Sequence, residues 1–100
     1  MVDRKIINIV MNYKELLQGI YPLEKIYLFG SYANDNARID SDIDLAIFIK
    51  EAVNYEMELN LMKLRRKVDL RIEPHVFNSI DLLDKTPFIE EITNKGIEIS

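Results

Sequence analysis

The stretch FGSYANDNARIDSDIDLAIF, residues 29 to 48, governs the reading of the whole chain. A small pair, Gly30-Ser31, is followed after ten residues by the alternating acids Asp42 and Asp44. The acids open a segment, residues 41 to 49, that starts with alternation and ends as a continuous apolar run, the pattern of a central strand with an exposed beginning. Side chains two apart on a strand point the same way, so Asp42 and Asp44 pair on one face while Ile43 and Leu45 pack on the other. Two unit charges ~4 Å apart repel by about 4 kcal/mol at an effective dielectric of 20, which makes such a pair poor scaffolding. A divalent cation explains it better, because Mg²⁺ combines one or two carboxylates with water and substrate phosphates. Gly30 allows a ligand close to the backbone, and Ser31 stands where a short helix would offer free N–H groups to an anion. The acids are thus read as meeting metal and the turn as meeting phosphate.

The remaining elements fall into place around this stretch. Asp3 is positioned to cap a first helix whose Ile6, Val10, Tyr13 and Leu17 recur at helical spacing, with Gly19 at its end. Residues 25 to 29, KIYLF, form a strand halted by Gly30. Asn54 caps a further helix with Met57, Leu61 and Leu64 on one face, finishing in the basic run Lys63 to Lys67, a solvated helix end. The alternation of VDLRIE, residues 68 to 73, predicts a third strand, with Asp69, Arg71 and Glu73 on one face and Pro74 limiting its ladder. If that strand lies beside the first acids, Asp69 joins Asp42 and Asp44. A short helix follows Asn78, then a helix with Thr86 as cap, Pro87 in its first position and Gly96 past its end, and residues 97 to 99 return as a short strand. The fold class is α/β (α+β), a mixed sheet with flanking helices.

Composition narrows the function. One hundred residues, 48% apolar, build one domain over residues 1 to 100. A net charge of −4 argues against electrostatic capture of nucleic acid, and the absence of cysteine leaves any metal to oxygen ligands or to His75. His75 itself is assigned no role. No apolar stretch approaches the ~20 residues that cross a bilayer, so a cytoplasmic protein is expected, with no membrane partner.

Gly30-Ser31, ten residues, then Asp42-Ile43-Asp44 resembles the signature of the DNA polymerase beta-like nucleotidyltransferase superfamily. The chain is most similar to its smallest branch, the minimal nucleotidyltransferase or MNT-type antitoxins, from KIYLFG through KVDLRI to NKGIEI. The resemblance implies a polymerase beta-like palm and transfer of AMP from ATP to a hydroxyl, with Asp42, Asp44 and Asp69 binding two Mg²⁺ ions and Gly30 and Ser31 holding the outer phosphates. It further implies a partner, an HEPN-type ribonuclease toxin, silenced by adenylylation of a tyrosine. A homo-oligomer is compatible with it. Relatives read G-S-x-A-R-G, whereas this chain has Asn34 and Asp35 in the last two places, losing a basic residue near the phosphates; Arg38 stands nearby as a partial substitute. That departure keeps open a second expectation, an antitoxin that neutralises its toxin by binding alone, without catalysis.

Overall fold

A computed structural model describes residues 2 to 99. Helix α1 spans Arg4–Gln18, with the Asp3 side chain accepting a hydrogen bond from the Lys5 amide at its start. Its buried face is the expected Ile6, Val10, Tyr13 and Leu17. Strand β1 covers Leu23–Phe29, beginning directly after Pro22, and runs into a 3₁₀ turn at Gly30–Tyr32. Strand β2 is Ile43–Ile49, so Asp44 lies within it and Asp42 immediately before it. Helix α2, Tyr55–Leu64, is capped by Asn54, whose side chain accepts from the Met57 amide. Strand β3 is Ile72–Asn78, helix α3 is Pro87–Lys95 behind the Thr86 cap, and strand β4 is Ile97–Ile99.

The sheet has the order β3-β2-β1-β4. β1 pairs antiparallel with β2 and with β4, and β2 pairs parallel with β3 across the α2 crossover, which makes the sheet mixed as expected. One face carries α1 and α2 over Ile26, Leu28, Ile43, Leu45, Ile47, Ile49 and Ile72. The other carries α3 over Tyr27, Ala46 and Phe48, with Phe29 and Phe77 packed at its margin. Burial on both faces explains why the end of β2 reads as an unbroken apolar run. Tyr13 ties the first layer together: its buried hydroxyl donates to the Leu61 carbonyl at 2.7 Å, so α1 and α2 are joined by a hydrogen bond as well as by packing.

One predicted element sits elsewhere. The strand expected over residues 68 to 73 is observed four residues later, and Pro74 lies inside it rather than at its limit. Two forces move it. Arg65–Lys67 continue beyond α2 as a 3₁₀ turn, consuming the chain that would have extended. Asp69 then folds the next residues back: its amide donates to the Arg65 carbonyl at 2.8 Å and its carbonyl accepts from the Ile72 amide at 3.3 Å. Its side chain also accepts from the Arg71 amide at 2.8 Å, a local turn that competes with strand formation. Pro74 is tolerated because β3 is an edge strand. Among the described residues no helix is long and apolar enough to cross a membrane.

Candidate active site

The site forms where three strand ends meet on the α3 side of the sheet. Phe29, the last residue of β1, is the register partner of Asp44, so the Gly30 turn begins directly beside that carboxylate. Gly30 has φ +74°, a left-handed conformation that glycine adopts without strain. A Cβ there would also collide with Asp44 Oδ2 and lie 3.2 Å from Asp44 Cγ. The torsion favours glycine, and a Cβ would force the Asp44 side chain to shift. The next turn is closed by the Ala33 amide donating to the Gly30 carbonyl at 3.1 Å, which stands Ser31 at the head of the turn.

On the other side of Asp44, the parallel register aligns it with Glu73, and Ala46 with His75. Side chains aligned in this way share a face, so Glu73 and His75 flank the acid strand. His75 Nε2 is 3.7 Å from Asp44 Oδ1, an ion-pair separation too long for a hydrogen bond. The His75 ring leans on Phe29, with ring centroids 5.4 Å apart. Asp44 feels this setting: burial raises its carboxyl above the usual range, the charge of His75 opposes the rise, and the charges of Asp42 and Glu73 reinforce it. An acid pushed towards its neutral form beside two other acids is poised to gain from a cation.

Asp69 lies ahead of the paired part of β3, which begins at Ile72. It sits in the turn ahead of β3, and its carboxylate is held by Arg71: Nη2 donates to Oδ2 at 2.9 Å and Nε to Oδ1 at 3.0 Å. Arg71's hydrogen bonds, foremost, hold the Asp69 carboxyl below the ordinary carboxylate range. Arg71 in turn donates through Nη1 to the Ile39 carbonyl at 3.0 Å and to the Tyr32 hydroxyl at 3.3 Å. Tyr32 donates to the Arg38 carbonyl at 3.1 Å, and the Arg38 amide donates to Ser41 Oγ at 2.7 Å. The loop between Ser31 and Asp42 is therefore stapled to the start of β3, and Tyr32 is part of that staple. Glu73 and His75 are the residues that the sequence left without a role; Glu73 was placed on the same face as Asp69, and only the register of β3 shows that it is the one aligned with Asp44.

The departure at Asn34-Asp35 is also legible in the structure. Asp35 has φ +58°, the left-handed region where glycine is at ease and Asp is among the few other residues that fit. Arg38 lines a surface cleft with Asp35 and Arg71, on a different side of the turn from Asn34, which lines a cavity with Lys95.

Residues 4–100 match the family described as polymerase beta, nucleotidyltransferase. The chain belongs to that family. A nucleotidyltransferase also agrees with MJ0141 of Methanocaldococcus jannaschii, named a protein adenylyltransferase, which is 31% identical over 101 residues spanning 95% of this chain and 99% of that protein. MJ1217 of the same organism, under the same name, is 28% identical over 94 residues, 90% of this chain and 85% of that protein. In fold, the chain is similar to a component of a toxin-antitoxin complex with AMP-PNP, at TM-score 0.66 and 23% identity, covering 94% of this chain and 72% of that one. It is also similar to a chain of the complex of a tri-AMPylated Shewanella oneidensis HEPN toxin with an MNT antitoxin, at TM-score 0.55 and 20% identity, covering 92% and 71%. The resemblance to minimal nucleotidyltransferases and the α+β class both stand.

Among the described residues no three acids or histidines already converge as a metal cage. The donors nevertheless fit a hard cation that arrives with its nucleotide: two carboxylates, Asp42 and Asp44, with phosphate oxygens completing the shell, and Glu73 as the neighbour in register.

Two outcomes follow from this geometry. Gly30→Ala is expected to lower stability by about 1–2 kcal/mol through the left-handed torsion and to displace the Asp44 carboxylate, measurable by chemical denaturation together with loss of transferase activity. Asp69 has a folded pKa below its unfolded one, so its pairing adds stability above the ordinary carboxylate pKa and loses it as pH falls through the lowered value. Asp69→Asn should cost up to about 1 kcal/mol at neutral pH, and the gap to the wild type should close as pH falls below the ordinary carboxylate range.

Proposed function

We propose that this chain acts as a single minimal nucleotidyltransferase domain in the cytoplasm, moving AMP from ATP to a hydroxyl, most directly a tyrosine, of an HEPN-type toxin for which it is the antitoxin. One observation carries the reading: Asp44 is pressed against the Gly30 turn across β1 and β2, with Asp42 one step before it and Glu73 beside it in register. The names of the relatives supply the direction, since two carry the name protein adenylyltransferase and the similar folds come from complexes with toxins, one of them tri-AMPylated.

Each residue has a task. Gly30 and Ser31 seat the outer phosphates by backbone N–H groups and the serine hydroxyl. Asp42 and Asp44 would hold Mg²⁺, two ions in all, against the triphosphate. Bound there, the cations neutralise charge on the phosphates and lower the pKa of the acceptor hydroxyl. Glu73 rather than Asp69 completes the acid set, because Arg71 grips Asp69 at 2.9 Å whereas the Arg65 pairing with Glu73 is long, at 3.8 Å. The acceptor oxygen attacks the α-phosphorus, the bond from that phosphorus to the bridging oxygen breaks, and pyrophosphate leaves with its electron pair. The hydroxyl proton passes to a Glu73 carboxylate oxygen and on to solvent.

Incubation of the chain with labelled ATP, Mg²⁺ and its cognate toxin tests this. Label is expected on the toxin, removed by Mg²⁺ chelation and by the double variant Asp42→Asn, Asp44→Asn, with a loss of about a hundredfold or more. Transfer undiminished in the double variant contradicts it. If that variant transfers nothing yet still protects cells from the toxin, neutralisation by binding alone is the correct function.

A further inference from the structure

We propose that the cavity between the Gly30 turn and α3 seats the purine base of the nucleoside triphosphate, an inference that rests on the transferase reading above. Residues lining the cavity, about 200 Å³, include Phe29, Gly30, Asn34, Phe88, Glu91 and Lys95. It shares a wall with the acid site. Phe29 contacts the His75 ring at 5.4 Å and the Phe88 ring at 5.9 Å, and it lines the cavity together with Gly30, so a ligand whose phosphates lie on the Gly30 turn has this opening next to it.

Size and chemistry choose the occupant. Cavities that enclose whole drug-sized ligands start at about 300 Å³, so this one suits a single planar ring system and leaves sugar and phosphates outside. Its walls are largely apolar and aromatic, with Phe29 and Phe88 both lining it at 88° to one another. The polar groups are an amide, an ammonium and a carboxylate, from Asn34, Lys95 and Glu91. A purine edge carries both donors and acceptors and can use all three, whereas a phenol ring brings one polar atom. Phosphate is disfavoured by the apolar walls and by Glu91. The pair Lys95–Glu91 is long, at 3.9 Å, and well exposed, so it binds each partner weakly and leaves both side chains able to turn to a ligand. Phe88 is itself partly exposed, although it packs against Phe29 and against Phe77 at 5.9 Å; an aromatic left half open over a cavity is a stacking surface awaiting a ring.

Calorimetric titration with MgATP and with Mg-tripolyphosphate, which lacks base and sugar, separates this inference from the reading beneath it. Phe88→Ala removes the stacking ring, and Ala33→Phe fills the cavity without deleting any packed side chain. Both variants should weaken MgATP about tenfold or more while tripolyphosphate changes by less than about twofold. Equal weakening of the two ligands, or unchanged MgATP affinity in both variants, overturns the base seat. So does wild-type protein that binds MgATP no better than tripolyphosphate, and that result leaves the transferase reading standing. Wild-type protein that binds neither ligand removes the transferase reading and the base seat together.

Discussion

Everything in this molecule that bears on chemistry depends on one close approach, the backbone of Gly30 against the carboxylate of Asp44. The antiparallel pairing of β1 with β2 brings Phe29 opposite Asp44, and the chain must then leave the strand at once. Only a residue without Cβ, in a left-handed conformation, can turn there without pushing the acid aside. The Gly30 turn and the acid pair are thus two halves of one constraint. Neither can shift without the other, which is how two short segments separated by ten residues hold a fixed geometry without a second domain around them.

Asp44 itself works against folding. Burial and neighbouring acids raise the Asp44 carboxyl, so its ionised form at neutral pH is a cost carried by the rest of the structure. That cost is offset by ordinary means: the apolar run of β2, covered on both faces, and the two layers of helices over it. The local staple built from Asp69, Arg71 and Tyr32 adds a second restraint where the sheet is open, fixing the loop that precedes Asp42 to the turn that precedes β3. Sites that hold like charges in readiness for a ligand commonly trade stability for function in this way.

Most of the fold was legible in the sequence because its signals were local and consistent. Asp3, Asn54, Asn78 and Thr86 each accept a backbone hydrogen bond as cap residues should, and the spacing of Ile6, Val10, Tyr13 and Leu17 named the buried face of α1. The turn and the acid pair were legible for the same reason, since their spacing lies within one stretch. What escaped was the phase of β3. VDLRIE alternates as well as any strand, but alternation cannot register that Asp69 folds the backbone into a turn, nor that Pro74 is harmless on an edge. The consequence fell on the site: four residues of displacement put Glu73 rather than Asp69 in register with Asp44, and left His75 without a role although it lies 3.7 Å from the same carboxylate. The cavity under α3 was illegible altogether, because it is built from residues some sixty positions apart whose meeting is decided by packing.

The central claim is that the metal-facing acids are Asp42, Asp44 and Glu73, with Asp69 a structural partner of Arg71. Electron paramagnetic resonance of Mn²⁺ bound together with a non-hydrolysable ATP analogue measures this without requiring the toxin or turnover. Asp44→Asn and Glu73→Gln should each weaken Mn²⁺ binding and change the spectrum of what remains bound, while Asp69→Asn should leave both the affinity and the spectrum as in the wild type. A folded Asp69→Asn protein that loses Mn²⁺ as Asp44→Asn does, alongside a Glu73→Gln protein that retains it, would contradict the account.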